Sequence, residues 1–398
     1  MKSKLLFVMP SMHCGGAEKS LISLLESLDY SRYDVDLLLF KREGIFLSKV
    51  PSEINILEAP QDYTYFDMPI KRALQSFLKE NKFHLIFPRI QAGYLFKTEK
   101  NRARCDQKVW PHLSKALGTL DKEYDAAIGY LERSPIYFII EKVKAHKKIG
   151  WIHTHYSNSG MDEMIDRPYF KELDQIVTVS DECKNSLALQ FNPLLSKITV
   201  INNIVSPDII KKMASGSFKD LQINKSALNI VTVARLCHVK GIDLAIDACK
   251  RLVEKGISVK WHVIGIGSTE ENEEYEKMVK DLSLEDSFVF LGIKENPYPY
   301  LRMADIYVQP SRYEGKSIAI EEAKILAKPI IITNFNSSRD QIKNGYNGMV
   351  VDMTGNDIAQ GIYKLFKDEQ LREEYIKNLK KESLGNEREV DKLYRILA

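Results

Sequence analysis

Cysteine is scarce in this chain of 398 residues, and it follows no pattern. Cys14, Cys105, Cys183, Cys237 and Cys249 make an odd number, with no CxxC pair and no Cys/His spacing suited to a metal. That argues against a disulfide framework or a zinc site and for reduced thiols in the cytoplasm. Long apolar runs are missing too: no stretch of 18 apolar residues occurs, which removes a membrane-spanning helix. The opening Met1 to Pro10 carries lysines before an apolar stretch, but Pro10 breaks it and a Gly-Gly turn follows. It reads as a first strand, not as a secretion signal. Charge of one sign is nearly absent in the sum, +3, so any electrostatic function must lie in how charge is distributed.

What is present describes an ordinary soluble protein, 44% hydrophobic and 28% charged, too long for one core. Short apolar runs alternate with helical segments almost throughout, the pattern of parallel sheets with crossover helices. Seven strands are expected at 5–9, 35–40, 54–57, 125–130, 148–152, 175–179 and 198–202. Six more are expected at 228–234, 259–264, 287–291, 306–309, 329–333 and 349–351. Two doubly wound α/β domains follow, 1–205 and 206–380, with a joint near Val205 to Asn224 and a C-terminal helix, 381–398, crossing back. Ligands of such sheets bind beyond the C-terminal ends of the strands, so chemistry is sought just after each strand.

The most informative such place is Ser311-Arg312-Tyr313-Glu314-Gly315-Lys316-Ser317-Ile318, leading into a helix that carries Glu322. Amides after Gly315 lack intrahelical acceptors and, with the helix dipole, suit a phosphate. Glu314 and Glu322 can accept hydrogen bonds from sugar hydroxyls on either side of it. Arg235 and Lys240 follow the strand at 228–234 and supply two cations for a pyrophosphate, in place of a metal ion. Gly265 and Gly267 begin a dinucleotide-like loop without its third glycine, which disfavours NAD and leaves a nucleotide-facing turn with backbone clearance. Gly15 and Gly16 stand between the first strand and its helix, where backbone can approach a bulky ligand.

Other patterns read as structural. Asp34-Val35-Asp36 mimics a metal-binding DxD but opens an edge strand, the wrong end for a metal. His153-Thr154-His155 lacks a third ligand of suitable spacing; His153 stands as a sugar or acceptor contact or a plain loop residue. Residues 70–117 carry eleven Lys or Arg against Glu80, Glu99 and Asp106, interleaved with aromatics, a local charge of +8. Such a surface suits an anionic membrane face or a solvated helical hairpin. No motif for nucleic acid accompanies it.

Taken together, Gly15-Gly16-Ala17-Glu18, Val233-Ala234-Arg235-Leu236 with Lys240-Gly241, Gly265-x-Gly267 and Glu314-x7-Glu322 resemble the retaining family 4 glycosyltransferases of bacterial surface or capsular polysaccharide synthesis. The resemblance implies a GT-B fold, two Rossmann-like domains facing a cleft, and a hexosyltransferase without cofactor or metal. It implies an N-terminal acceptor domain and a C-terminal domain for a nucleotide-diphosphate sugar, a UDP-sugar. Arg235 and Lys240 would then hold the diphosphate, and Gly16 would offer its backbone to the diphosphate or sugar. Glu314 would contact the transferred sugar, Glu322 the ribose, and the backbone of Lys316, Ser317 and Ile318 the distal phosphate. Tyr130 stands where many members have a histidine, so His153 or Glu132 is the expected substitute. A glycan or lipid-linked acceptor and a cytoplasmic site of action, peripheral on the inner membrane face, complete the expectation. A nucleotide-sugar epimerase of the same architecture and a catalytically silent partner subunit are the alternatives.

Overall fold

The computed structural model describes residues 2–13, 15–215 and 226–398. It divides into two compact units, Met1–Ile204 with Glu387–Ala398, and Val205–Asn386. The first holds seven strands: β1 Ser3–Met9, β2 Tyr33–Leu39, β3 Asn55–Ile56, β4 Glu123–Gly129, β5 Lys144–Ile152, β6 Gln175–Thr178 and β7 Ile198–Val200. The second holds six: β8 Leu228–Val233, β9 Val259–Ile264, β10 Phe288–Phe290, β11 Ile306–Gln309, β12 Ile330–Thr333 and β13 Met349–Val351. Every apolar run read as a strand is one, because a parallel strand buried on both faces is written as a near-continuous apolar word.

The sheets are ordered β3-β2-β1-β4-β5-β6-β7 and β10-β9-β8-β11-β12-β13, and each paired neighbour runs parallel, as in β1 with β4 and β8 with β11. Chain order reverses between β1 and β4 in one sheet and between β8 and β11 in the other. At such a switch point the flanking loops part and leave a crevice at the strand ends. Each sheet is sandwiched between two apolar layers. In the first unit Leu6, Val8 and Trp110 lie on one side and Leu5, Phe7 and Trp151 on the other. In the second, Trp261 and Val308 lie on one side and Tyr307 and Ile320 on the other.

Three local expectations change. β2 is internal, with β3 outside it, so the DxD pattern does not open an edge strand. Asp36 is buried. Burial raises its pKa, yet hydrogen bonds from Lys122 (2.8 Å), Tyr124 (2.7 Å) and Asn55 (2.8 Å) outweigh this and hold the carboxyl below its usual range. The start of the expected joint is the helix Pro207–Ala214, whose Ile210 and Ala214 sit in the second unit's core; residues 216–224 lie outside the described residues, as does Cys14. Cys105, Cys183, Cys237 and Cys249 are free thiols. The last helix, Val390–Leu397, buries Val390 and Leu393 in the first unit's core. Among the described residues no helix is long and apolar enough to cross a membrane.

Candidate functional site

The second unit's switch point is built from two loops locked together. Gly241 takes a left-handed φ of +67°, and a Cβ there would fall 1.9 Å from the Pro310 carbonyl oxygen, so the β8 loop can meet the β11 loop only with glycine at that position. Arg312 fastens the contact: its amide donates to the Val239 carbonyl (2.8 Å), and its guanidinium grips Asp243 with two bonds (2.7 and 2.6 Å). A planar fork on a carboxylate fixes direction as well as distance.

That lock brings Lys240 to Glu314. Lys240 Nζ lies 2.6 Å from Glu314 Oε2 across 74 residues of chain. The other oxygen, Oε1, accepts from Ser311 Oγ (2.7 Å) and Gln309 Nε2 (3.2 Å), and Tyr307 donates in turn to Gln309. Glu314 is 6% exposed, so its carboxylate is held by a fully bonded shell and cannot swing. Arg235, at the end of β8, is exposed, and among the described residues no carboxylate lies within ion-pair distance of it. The site therefore pairs an oriented lysine with an uncommitted arginine. A ligand carrying two negative charges would complete that arrangement.

The loop after β11 enters the helix Ile318–Ile325 with Ser317 as its N-cap. The Ser317 amide is taken by Gln341 Oε1 (3.0 Å), which corrects the expectation that it is free for phosphate. The first turn of the helix, Ile318 onward, keeps amides without intrahelical acceptors. Space above Gly315 is open: a Cβ there meets nothing within 4 Å. Lys316 beside it is exposed. Glu322 is almost enclosed and accepts from Tyr298 Oη (2.8 Å). Gly265 and Gly267 serve a different purpose from the one expected. Their missing Cβ atoms would fall 1.9 Å from the Ala234 oxygen and 2.2 Å from the Leu236 oxygen. Their clearance is used to press the β9 loop onto the Arg235 loop.

In the first unit, the switch point gathers a second cluster after β1, β4 and β5. Gly15 caps the helix Gly16–Glu26, and Glu18 folds back over it, so near that a Cβ on Gly15 would lie 2.2 Å from the carboxylate. Burial raises the Glu18 pKa. Gly16 is exposed on the first turn. Glu132 is buried and accepts from the His153 amide (3.1 Å). Tyr130 does not present its hydroxyl to a ligand: the side chain is fully buried, with Oη 2.9 Å from Ser20 Oγ. Both ring nitrogens of His153 are shut off from solvent, and burial pushes its pKa down to about 3. His155 turns instead toward Ser186, with Nδ1 3.2 Å from its hydroxyl. At neutral pH His153 is uncharged; Glu132 beside it is buried, and Glu18 is half-buried.

Two parallel sheets with reversing order, each with polar groups at its switch point, now stand beside known structures. The chain overlays Anabaena HepE in complex with UDP-glucose at a TM-score of 0.65, 16% identity, covering 99% of this chain and 98% of that one. The overlay on Staphylococcus aureus TarM, in complex with fondaparinux, alpha-GlcNAc-glycerol and UDP, gives 0.66 at 15% identity, covering 99% of each. The fold is GT-B. Residues 215–382 of this GT-B chain match the family model for glycosyl transferases group 1. The chain is 29% identical over 211 residues to the capsular polysaccharide biosynthesis glycosyltransferase CapM of Staphylococcus aureus, a match covering 50% of this chain and 53% of that one. It is 29% identical over 145 residues to the poly(ribitol-phosphate) alpha-N-acetylglucosaminyltransferase of the same species, covering 36% and 29%. These matches span about half the length of the curated relatives or less. The GT-B chain is thus similar to glycosyltransferases of surface polysaccharide synthesis, with the matched family domain lying over the Lys240–Glu314 site.

Sequence reasoning missed the residues that hold this site in shape. Ser311, Gln309, Gln341 and the Arg312–Asp243 pair are none of them chemical residues, and Gln341 and Asp243 act across gaps in sequence that only the sheet closes. Ser311 alone left a local signal, a hydroxyl three residues before Glu314.

Proposed function

We propose that this chain is a retaining glycosyltransferase that moves a hexose from a UDP-sugar to a glycan or lipid-linked acceptor in surface polysaccharide synthesis. The C-terminal unit binds the donor and the N-terminal unit the acceptor, on the cytoplasmic side. The observation that carries this reading is the Lys240–Glu314 pair at the switch point of β8 and β11, with Arg235 on the same loop after β8, exposed and without a carboxylate in ion-pair distance among the described residues.

In the reaction the bond from the anomeric carbon to the diphosphate oxygen breaks. A bond from an acceptor oxygen to the same carbon forms on the same face, and the acceptor proton leaves. Negative charge grows on the departing diphosphate. Lys240 and Arg235 stabilise it electrostatically, more strongly at the transition state than in the bound donor, so that no metal is required. Glu314 fixes Lys240 and contacts the transferred sugar. The amides that open the helix after Ser317 meet the distal phosphate, and Glu322 meets the ribose. In the N-terminal unit Glu132 and His153 stay assigned to sugar or acceptor, and Tyr130 does not, because its buried hydroxyl is taken by Ser20. No residue is assigned as a nucleophile.

Thermal unfolding against a panel of UDP-, GDP- and ADP-sugars should single out the donor. A ligand at 100 times its dissociation constant stabilises by about 2.7 kcal/mol. Product analysis with that donor should then show free nucleoside diphosphate together with an extended acceptor. Conversion of the nucleotide sugar without any acceptor would replace the transferase with an epimerase. No shift with any donor would remove the reading.

A further inference from the structure

The helix Ile86–Thr98 has two apolar faces. One is packed: Pro88 and Ala92 are buried, and Arg89 reaches in to donate to the carbonyls of Tyr65 (2.8 Å) and Met68 (2.7 Å). The other is bare. Phe87 is 65% exposed, Ile90 42% and Tyr94 69%, and positions i, i+3 and i+7 fall on one stripe. Phe83, in the short turn just before the helix, is also exposed. Scattered apolar residues on a surface need no explanation, but an aligned aromatic stripe on a helix already packed on its opposite side does.

Charge surrounds this stripe unevenly. The three carboxylates of the segment are used locally. Glu80 accepts from Lys82 (2.8 Å) and Tyr65 (2.5 Å), Glu99 from Lys108 (2.7 Å), and Asp106 pairs with Arg133. Lys71, Arg72, Lys79, Lys97, Lys100 and Arg102 are exposed. Among the described residues no carboxylate lies within ion-pair distance of any of them. Arg104 differs, being 3.6 Å from Glu99.

We propose that this face docks on an anionic lipid surface, with Phe83, Phe87, Ile90 and Tyr94 entering the headgroup boundary and Lys97 and Lys100 meeting lipid phosphates. Aromatic rings with a polar edge favour that boundary, and basic residues beside them add attraction that fades with salt. A second copy of the chain is the weaker occupant: a symmetric pairing through this stripe would set the same unpaired cations against each other. The inference does not rest on the donor or the transfer reaction.

Flotation of the full chain tests it, using vesicles of phosphatidylcholine alone and of phosphatidylcholine mixed with phosphatidylglycerol. The chain should float with the mixed vesicles and much less with the neutral ones, and its flotation with the mixed vesicles should fall as salt rises. Each basic residue near the surface contributes roughly fivefold in affinity, so K97Q/K100Q should weaken binding about 25-fold. F87S/Y94S should abolish flotation while leaving the thermal midpoint near that of the wild type, since both side chains are exposed. Failure of the wild type to float on mixed vesicles would overturn the proposal, as would undiminished flotation of K97Q/K100Q. A wild-type dimer that F87S/Y94S makes monomeric by light scattering, with no flotation, would assign the face to self-association instead.

Discussion

Replacing Lys240 with alanine should lower sugar transfer by about 100- to 1000-fold, the range seen when one preorganised donor to a developing charge is removed. Lys240 cannot drift: Glu314 Oε2 holds it at 2.6 Å, and Glu314 is itself fixed by Ser311 and Gln309. Its charge is therefore in place before the reaction, and no reorganisation is needed as the diphosphate departs. Arg235→Ala should act differently. Arg235 is exposed and unpaired among the described residues, so it contributes to binding the ground state as well. Loss of one charge-assisted bond, roughly 1.5 to 3 kcal/mol, should appear as a rise in KM of about 10- to 150-fold. Steady-state kinetics on both variants would check this division. Transfer within threefold of the wild type in Lys240→Ala would assign the lysine a structural role only.

Glu314→Gln carries the second large effect. Glutamine is nearly isosteric and can still accept from Ser311, so the fold should survive with a thermal midpoint close to the wild type. The charge that fixes Lys240 is gone, and kcat should fall about 100-fold. Glu314→Ala is the harsher change: it strips the acceptor from the buried Ser311 Oγ and leaves Gln309 Nε2 only its bond to Ser311. Leaving the buried hydroxyl unsatisfied costs about 1 to 3 kcal/mol in stability. A double-mutant cycle between Lys240 and Glu314 should show strong non-additivity, because the two act as one unit. Full additivity in the cycle would contradict the coupling that their geometry describes.

The strands and the positions of the loops were legible because burial on both faces leaves a continuous apolar run, a signal local in sequence. The cations and glutamates were legible for a related reason: each stands just beyond such a run. Pairing was not. Lys240 and Glu314 meet across 74 residues, and only the order β9-β8-β11-β12 places their loops side by side. The glycines misled in an instructive way. Gly265 and Gly267 gave the correct expectation of a close approach, but the partner is the neighbouring loop's carbonyls. Tyr130 differs. It stands where many members of the resembled family have a histidine, yet Ser20 in the facing helix takes its hydroxyl, and no local pattern reveals which way a strand-end side chain turns. The basic segment was visible in composition. Which helix face stays bare depends on where Pro88 and Ala92 are packed.

Lys240 and Arg235 should grip the two phosphates of a nucleotide without help from a metal ion. Titration calorimetry with UDP, in buffer holding excess EDTA and again with magnesium, tests this. Equal affinity in the two buffers, and weaker binding in Lys240→Ala and Arg235→Ala, is the predicted result. Binding that appears only with magnesium, or that both variants retain in full, would contradict it.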